Sequence, residues 1–102
     1  MSHFQMTFRG LVPSDALREV AEEKFQRVAR KFGGLSTCHI IVAREATKSP
    51  FGSPYAVRVL LRAGRVRATA EASDDNPCSA VRTAFARAQN QADDARHRPG
   101  SH

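Results

Sequence analysis

The sequence predicts an α+β domain of order β-α-β-β-β-α, a four-stranded sheet with two helices packed on one face. Two observations carry this. Apolar and polar residues alternate in short stretches that read as strands, whereas in two longer stretches apolar residues recur at three- and four-residue intervals. Each helical stretch has a single apolar stripe, so both helices cover the same face of the sheet and leave the other wet. A chain of 102 residues, 41% hydrophobic and 25% charged, is sized for one core.

His3 to Arg9 alternates, with Phe4, Met6 and Phe8 on one face and His3, Gln5, Thr7 and Arg9 on the other, and Gly10 ends the strand. Ser14 after Pro13 is a good N-cap, with Asp15 where the helix dipole favours an anion. Leu17, Val20, Ala21, Phe25, Val28 and Phe32 then form one stripe on a helix of about 18 residues that Gly33-Gly34 terminates. Thr37 to Arg44 is apolar enough for a central strand. Ala46 to Pro54, with two Pro, one Gly and two Ser, reads as a flexible connection. Tyr55 to Arg62 turns Tyr55, Val57, Val59 and Leu61 inward and Arg58 and Arg62 outward. Ala63-Gly64 makes a short hairpin to Arg65 to Ala72, where Val66, Ala68 and Ala70 face in, opposite Arg65, Arg67 and Thr69. Asn76-Pro77 starts a second helix that buries Val81, Ala84, Phe85, Ala88 and Ala92. The domain is expected to be residues 1–96, with 97–102 a flexible tail.

The chemistry-bearing residues are sparse. No apolar run approaches the roughly 18 residues that span a bilayer, and Met1 to Arg9 lacks the pattern of a secretion signal, so the expected location is the cytoplasm. Cys38 and Cys78 stand too far apart for a zinc site or disulfide framework. His3, His39, His97 and His102 have no partner at metal-ligand spacing, and His39 reads as a strand residue facing solvent. Cys78, in the first turn of the second helix, reads as a small buried thiol, and Asp74-Asp75 as helix capping. No catalysis, cofactor, metal or small-molecule substrate is expected.

Charge is more informative. The net charge is +6, yet residues 1–23 hold two basic residues against four acids, and 71–102 hold four against five. Between them, Lys24 to Ala70 holds ten basic residues and one acid, Glu45. Concentrating cations in this way costs self-repulsion, which a polyanionic partner offsets. Lys24, Arg27 and Lys31 lie at i, i+3 and i+7, hence on one helix flank, with Arg30 beside them. Arg82 and Arg87 supply cations on the second helix, where Arg87 is expected to extend the ridge. Arg58, Arg62, Arg65 and Arg67 form a possible second patch on the open sheet face. Arg outnumbers Lys thirteen to three, which favours forked contacts to phosphate. With few exposed aromatics to stack bases on, folded RNA read by shape is the expected partner.

The run ALREVAEEKFQRVARKF from Ala16 to Phe32, then CHIIVA, PYAVRVLL and NPCSAVRTAFARAQNQ, is similar to the ribosome hibernation-promoting factor and ribosome-associated inhibitor family, also called sigma-54 modulation proteins. The likeness spans about residues 4 to 92 and lies in collinear elements rather than in one motif. It implies a fold like a double-stranded-RNA-binding domain that sits in the tRNA and mRNA channel of the small ribosomal subunit, contacts ribosomal RNA and blocks decoding in resting cells. Lys24 and Arg27 fall on basic family positions in the first helix, and Arg87 on one in the second. Asn90, Asp93 and Asp94 depart from the family, since Asn90 and Asp94 stand where it tends to be basic. That motivates an alternative, a regulatory or protein-interaction module of the same fold that no longer binds ribosomes. The dimerisation domain of the family's long form has no counterpart here, so the chain is not expected to pair ribosomes by itself as that form does; a monomer or weak dimer is expected. Phe8-Arg9-Gly10 resembles the phosphate loop of acylphosphatases, but the glycine-rich loop and the water-orienting Asn of those enzymes are not found.

Overall fold

The computed structural model describes residues 2–32, 36–44 and 54–96, without the side chains of Ser2 and Arg96. The element order is β1 (Ser2–Arg9), α1 (Asp15–Phe32), β2 (Ser36–Arg44), β3 (Tyr55–Ala63), β4 (Val66–Asp74) and α2 (Pro77–Arg96). This is the order that the alternation and the apolar stripes predict. The connection at 46–54, apart from Pro54, and the tail at 97–102 lie outside the described residues.

The sheet order is β1-β2-β3-β4, with β1 and β2 parallel and the other two pairs antiparallel. Cys38, Ile40, Val42, Val57, Val59 and Leu61 point to the helix side and are buried. Phe4 stacks on Phe25 of α1 with centroids 5.6 Å apart. Beneath α2 the core is built from small residues on both sides: Ala68, Ala70 and Ala72 of β4 meet a helix whose buried stripe includes Ala80, Ala84, Ala88 and Ala92. Short side chains on both surfaces let the helix lie close to the strand, and Val81 and Phe85 fill the space toward β3.

The helix starts follow capping chemistry. Ser14 Oγ accepts from Leu17 N at 3.3 Å. Asn76 Oδ1 accepts from Cys78 N at 2.8 Å and Ser79 N at 3.3 Å. Asn76 is thus the N-cap with Pro77 at the first helical position, as the sequence predicts, while the capping expected of Asp74-Asp75 is corrected to a supporting contact from Asp74. Asp74 still pairs with Tyr55 in the ladder, and its Oδ1 accepts from Asn76 N at 2.9 Å, bracing the turn before the helix. Arg65, expected as the first residue of a strand, instead occupies the turn between paired Ala63 and Val66. Gly64 takes φ +63° and no other residue of that turn has positive φ, the pattern of a type II′ hairpin.

Candidate nucleic-acid interface

β1, β2 and β4 run in the same direction, and each helix returns antiparallel to the strand before it, so α1 and α2 lie side by side and parallel. One contact sets their phase. Lys31 Nζ of α1 lies 2.9 Å and 3.0 Å from the two carboxylate oxygens of Asp93 on α2. At about 100° per residue, Lys24 and Arg27 fall on the same flank of α1 as Lys31. Asp93 and Arg82, eleven residues apart, are separated by only about 20° around α2. Lys24, Arg27 and Lys31 thus border the groove between the helices on one side and Arg82 borders it on the other, with exposed Arg30 on the outer surface of α1.

Two of these cations carry an acidic neighbour. Arg27 Nη2 contacts Glu23 Oε1 at 3.0 Å one turn away, and Lys31 is held by Asp93. The first pair is fully at the surface, where such contacts contribute less than about 0.5 kcal/mol and give way to salt, so a phosphate competes with it readily. Among the described residues, Lys24, Arg30 and Arg82 have no carboxylate partner.

Arg87 does not extend the ridge as expected. It is turned about 140° from Arg82 around the helix, away from α1, and its Nη1 donates to the backbone carbonyl of Glu71 at 2.7 Å. One turn on, Gln91 Oε1 accepts from Thr69 N at 3.2 Å. Thr69 and Glu71 belong to the edge strand β4, so these two side chains satisfy backbone groups on its outer edge and shield them from pairing with another chain.

The arginines of the possible second patch lie on the other face of the sheet. Arg58 is ion-paired with Glu71, its partner across β3 and β4. Arg62 and Arg67 stand directly opposite one another, with Arg65 in the adjoining turn. His39, partly buried on this face, has Nε2 2.9 Å from Thr7 Oγ1, a contact the sequence does not announce because it depends on the register of β1 against β2. Gln91 likewise carries no signal in the sequence, since its role depends on the position of α2 over β4.

A small α+β binding domain with cations along a two-helix face is the class these features define. The sequence profile of sigma 54 modulation protein / S30EA ribosomal protein matches residues 4–99, and the chain belongs to this family of ribosome-associated, non-enzymatic binding factors. In fold it is similar to a ribosomal subunit interface protein from Coxiella burnetii, with a TM-score of 0.75 and 24% identity over 94% of this chain and 99% of that one. It is also similar to the N-terminal domain of Thermus thermophilus Protein Y, with a TM-score of 0.73 and 18% identity over 96% of this chain and 100% of that one. No curated protein matches it. No helix among the described residues is long and apolar enough to cross a membrane.

Proposed function

We propose that residues 1–96 act as one ribosome-binding domain that docks its two-helix face on ribosomal RNA in the decoding channel of the small subunit, and so holds translation off in resting cells. The observation that carries this is the placement of Lys24, Arg27 and Lys31 of α1 opposite Arg82 of α2 along one groove, with Arg30 on the adjoining outer surface of α1, in a chain of this family. Parallel helices on a rigid sheet present guanidinium and ammonium groups at fixed spacing, which suits the regular phosphates of folded RNA and needs no base stacking. Arg87, committed to the β4 edge, contributes little directly. The reading needs neither a cofactor nor a membrane, and a monomer suffices for it.

Sedimentation with small subunits tests it. The protein should travel with the subunits at low salt and detach as salt rises. Lys24→Glu combined with Arg27→Glu should weaken association on the order of tenfold or more, whereas reversing Arg96 and Arg98 should do less. Protein that remains at the top of the gradient at every salt concentration would refute the proposal.

One observation favours a second reading, a diverged protein-interaction module. Asp93 places an anion at the groove and occupies Lys31. That reading expects binding that ignores salt and a partner that survives nuclease treatment.

A further inference from the structure

The open face of the sheet is organised in cross-strand rows by its register. His3, Thr37, Arg62 and Arg67 form one row, and Gln5, His39, Leu60 and Thr69 the next. Over these two rows lies a trough of about 390 Å³, within the roughly 300–1,000 Å³ of small-ligand sites. It lies on the side of the sheet away from the helices, and docking of the two-helix face leaves it unused.

The walls of the trough define its occupant. Cross-strand partners such as Arg62 and Arg67 have Cβ atoms about 4.5–5.5 Å apart, and like charges so placed repel. Among the described residues no carboxylate pairs with Arg62, Arg65 or Arg67. Glu71, on the same face, is two rows away and taken by Arg58. A smaller cavity of about 260 Å³ at that end is lined by this Arg58–Glu71 pair together with Arg9, so there, unlike in the trough, a carboxylate already stands among the cations. An arrangement that costs stability when empty is relieved by an oxyanion held between two guanidinium forks. Beside the forks stands Leu60, 39% exposed, an apolar surface next to a site built for charge. His39, held by Thr7, stands with Gln5 and Thr69 as hydrogen-bonding groups around it. Phosphate alone would use only the arginine end. A second copy of this face would set arginines against arginines, so charge disfavours self-association here.

We propose that this trough binds one nucleotide unit, with its phosphate between Arg62 and Arg67 and its base over Leu60 beside His39 and Thr69. The unit is either a free mononucleotide or a residue splayed out of an RNA strand. The site stands apart from the two-helix face and holds or fails independently of ribosome docking.

Backbone amide shifts of the full chain, titrated separately with inorganic phosphate, a mononucleotide monophosphate, a short single-stranded oligoribonucleotide and a glutamate-rich peptide, test the proposal. The nucleotide should move the amides of Thr37, His39, Leu60 and Thr69 saturably. Affinity should fall on the order of tenfold in Arg62→Ser and in Arg67→Ser. It should be unchanged in the Lys24→Glu, Arg27→Glu variant, which reports on ribosome docking alone. Both arginine variants relieve repulsion and should keep a folded spectrum. Thr69→Glu provides a second route, setting a carboxylate beside the forks and abolishing binding with both arginines in place. Saturation by the mononucleotide marks a free-nucleotide site, and saturation by the oligonucleotide alone marks an RNA strand; either supports the proposal. Shifts confined to the helices, equal affinity for phosphate alone, tighter binding of the peptide, or undiminished binding by the arginine variants would each overturn it.

Discussion

Cys38 shows how burial decides the chemistry of a single side chain. It faces the core at 3% exposure, and burial pushes its thiol from 9.0 up to about 12. The thiolate is the nucleophile, so Cys38 should resist alkylation in the folded protein while half-buried Cys78 reacts; mass spectrometry after brief iodoacetamide treatment reads the difference. The same shift sets a pH dependence. The folded state keeps a proton that the unfolded chain releases above about 9, so this contribution is whole below pH 9 and is lost as pH rises toward 12. Denaturant midpoints across that window should fall less steeply in Cys38→Ala. Asp93 offers the complementary case at the groove. Its side chain is 27% exposed and that of Lys31 43%, so Asp93→Asn should cost no more than about 1 kcal/mol of stability. It removes the carboxylate charge beside Lys31 and so an anion from the two-helix face. Association with small subunits should therefore strengthen and become more salt-dependent; unchanged binding would place Lys31 outside the contact.

Among the elements, the two turns that rest on glycine separate two kinds of constraint. Gly10 has φ +73° and Gly64 +63°, so an L-residue at either pays a left-handed penalty of about 1–2 kcal/mol. At Gly10 a Cβ would also sit 2.7 Å from the backbone carbonyl oxygen of Arg44, whereas at Gly64 nothing lies within 4 Å. Gly10→Ala should thus lower the unfolding midpoint clearly more than Gly64→Ala, a comparison that thermal melts settle. The elements themselves were legible because their signals are local. Ser14 and Asn76 mark helix starts by capping, and the stripe from Leu17 to Phe32 repeats at the helical period. The site was legible only in part. Spacing alone places Lys24, Arg27 and Lys31 on one flank, but the two flanks of α2 look alike in sequence. Only its position over edge strand β4 sends Arg87 to Glu71 and leaves Arg82 facing α1. The trough was hidden for the same reason, since Arg62, Arg67, His39 and Leu60 come together through strand register.

Among the described residues, the sheet separates two cationic surfaces, with Lys24, Arg27, Arg30 and Lys31 on the helix side and Arg58, Arg62, Arg65 and Arg67 at the other face. That division makes the electrostatics of docking testable residue by residue. Each cation that neutralises a phosphate releases a condensed counterion, so the logarithm of the association constant should fall with the logarithm of salt by about 0.7 to 0.9 per contact. Replacing Lys24, Arg27 and Arg30 by Gln should flatten that slope by roughly two to three in small-subunit binding. Arg18 is the matched control: it is exposed on α1 like Arg27 and Arg30, but about 120° from Lys24 around the helix, on the flank turned away from α2. Arg18→Gln lowers the net charge by the same unit as each of those replacements, so a purely global attraction would flatten the slope equally per charge removed. A localised two-helix contact leaves the Arg18→Gln slope at the parent value, and equal flattening per charge would mean that the RNA responds to the sum of the charges and not to where the helices place them.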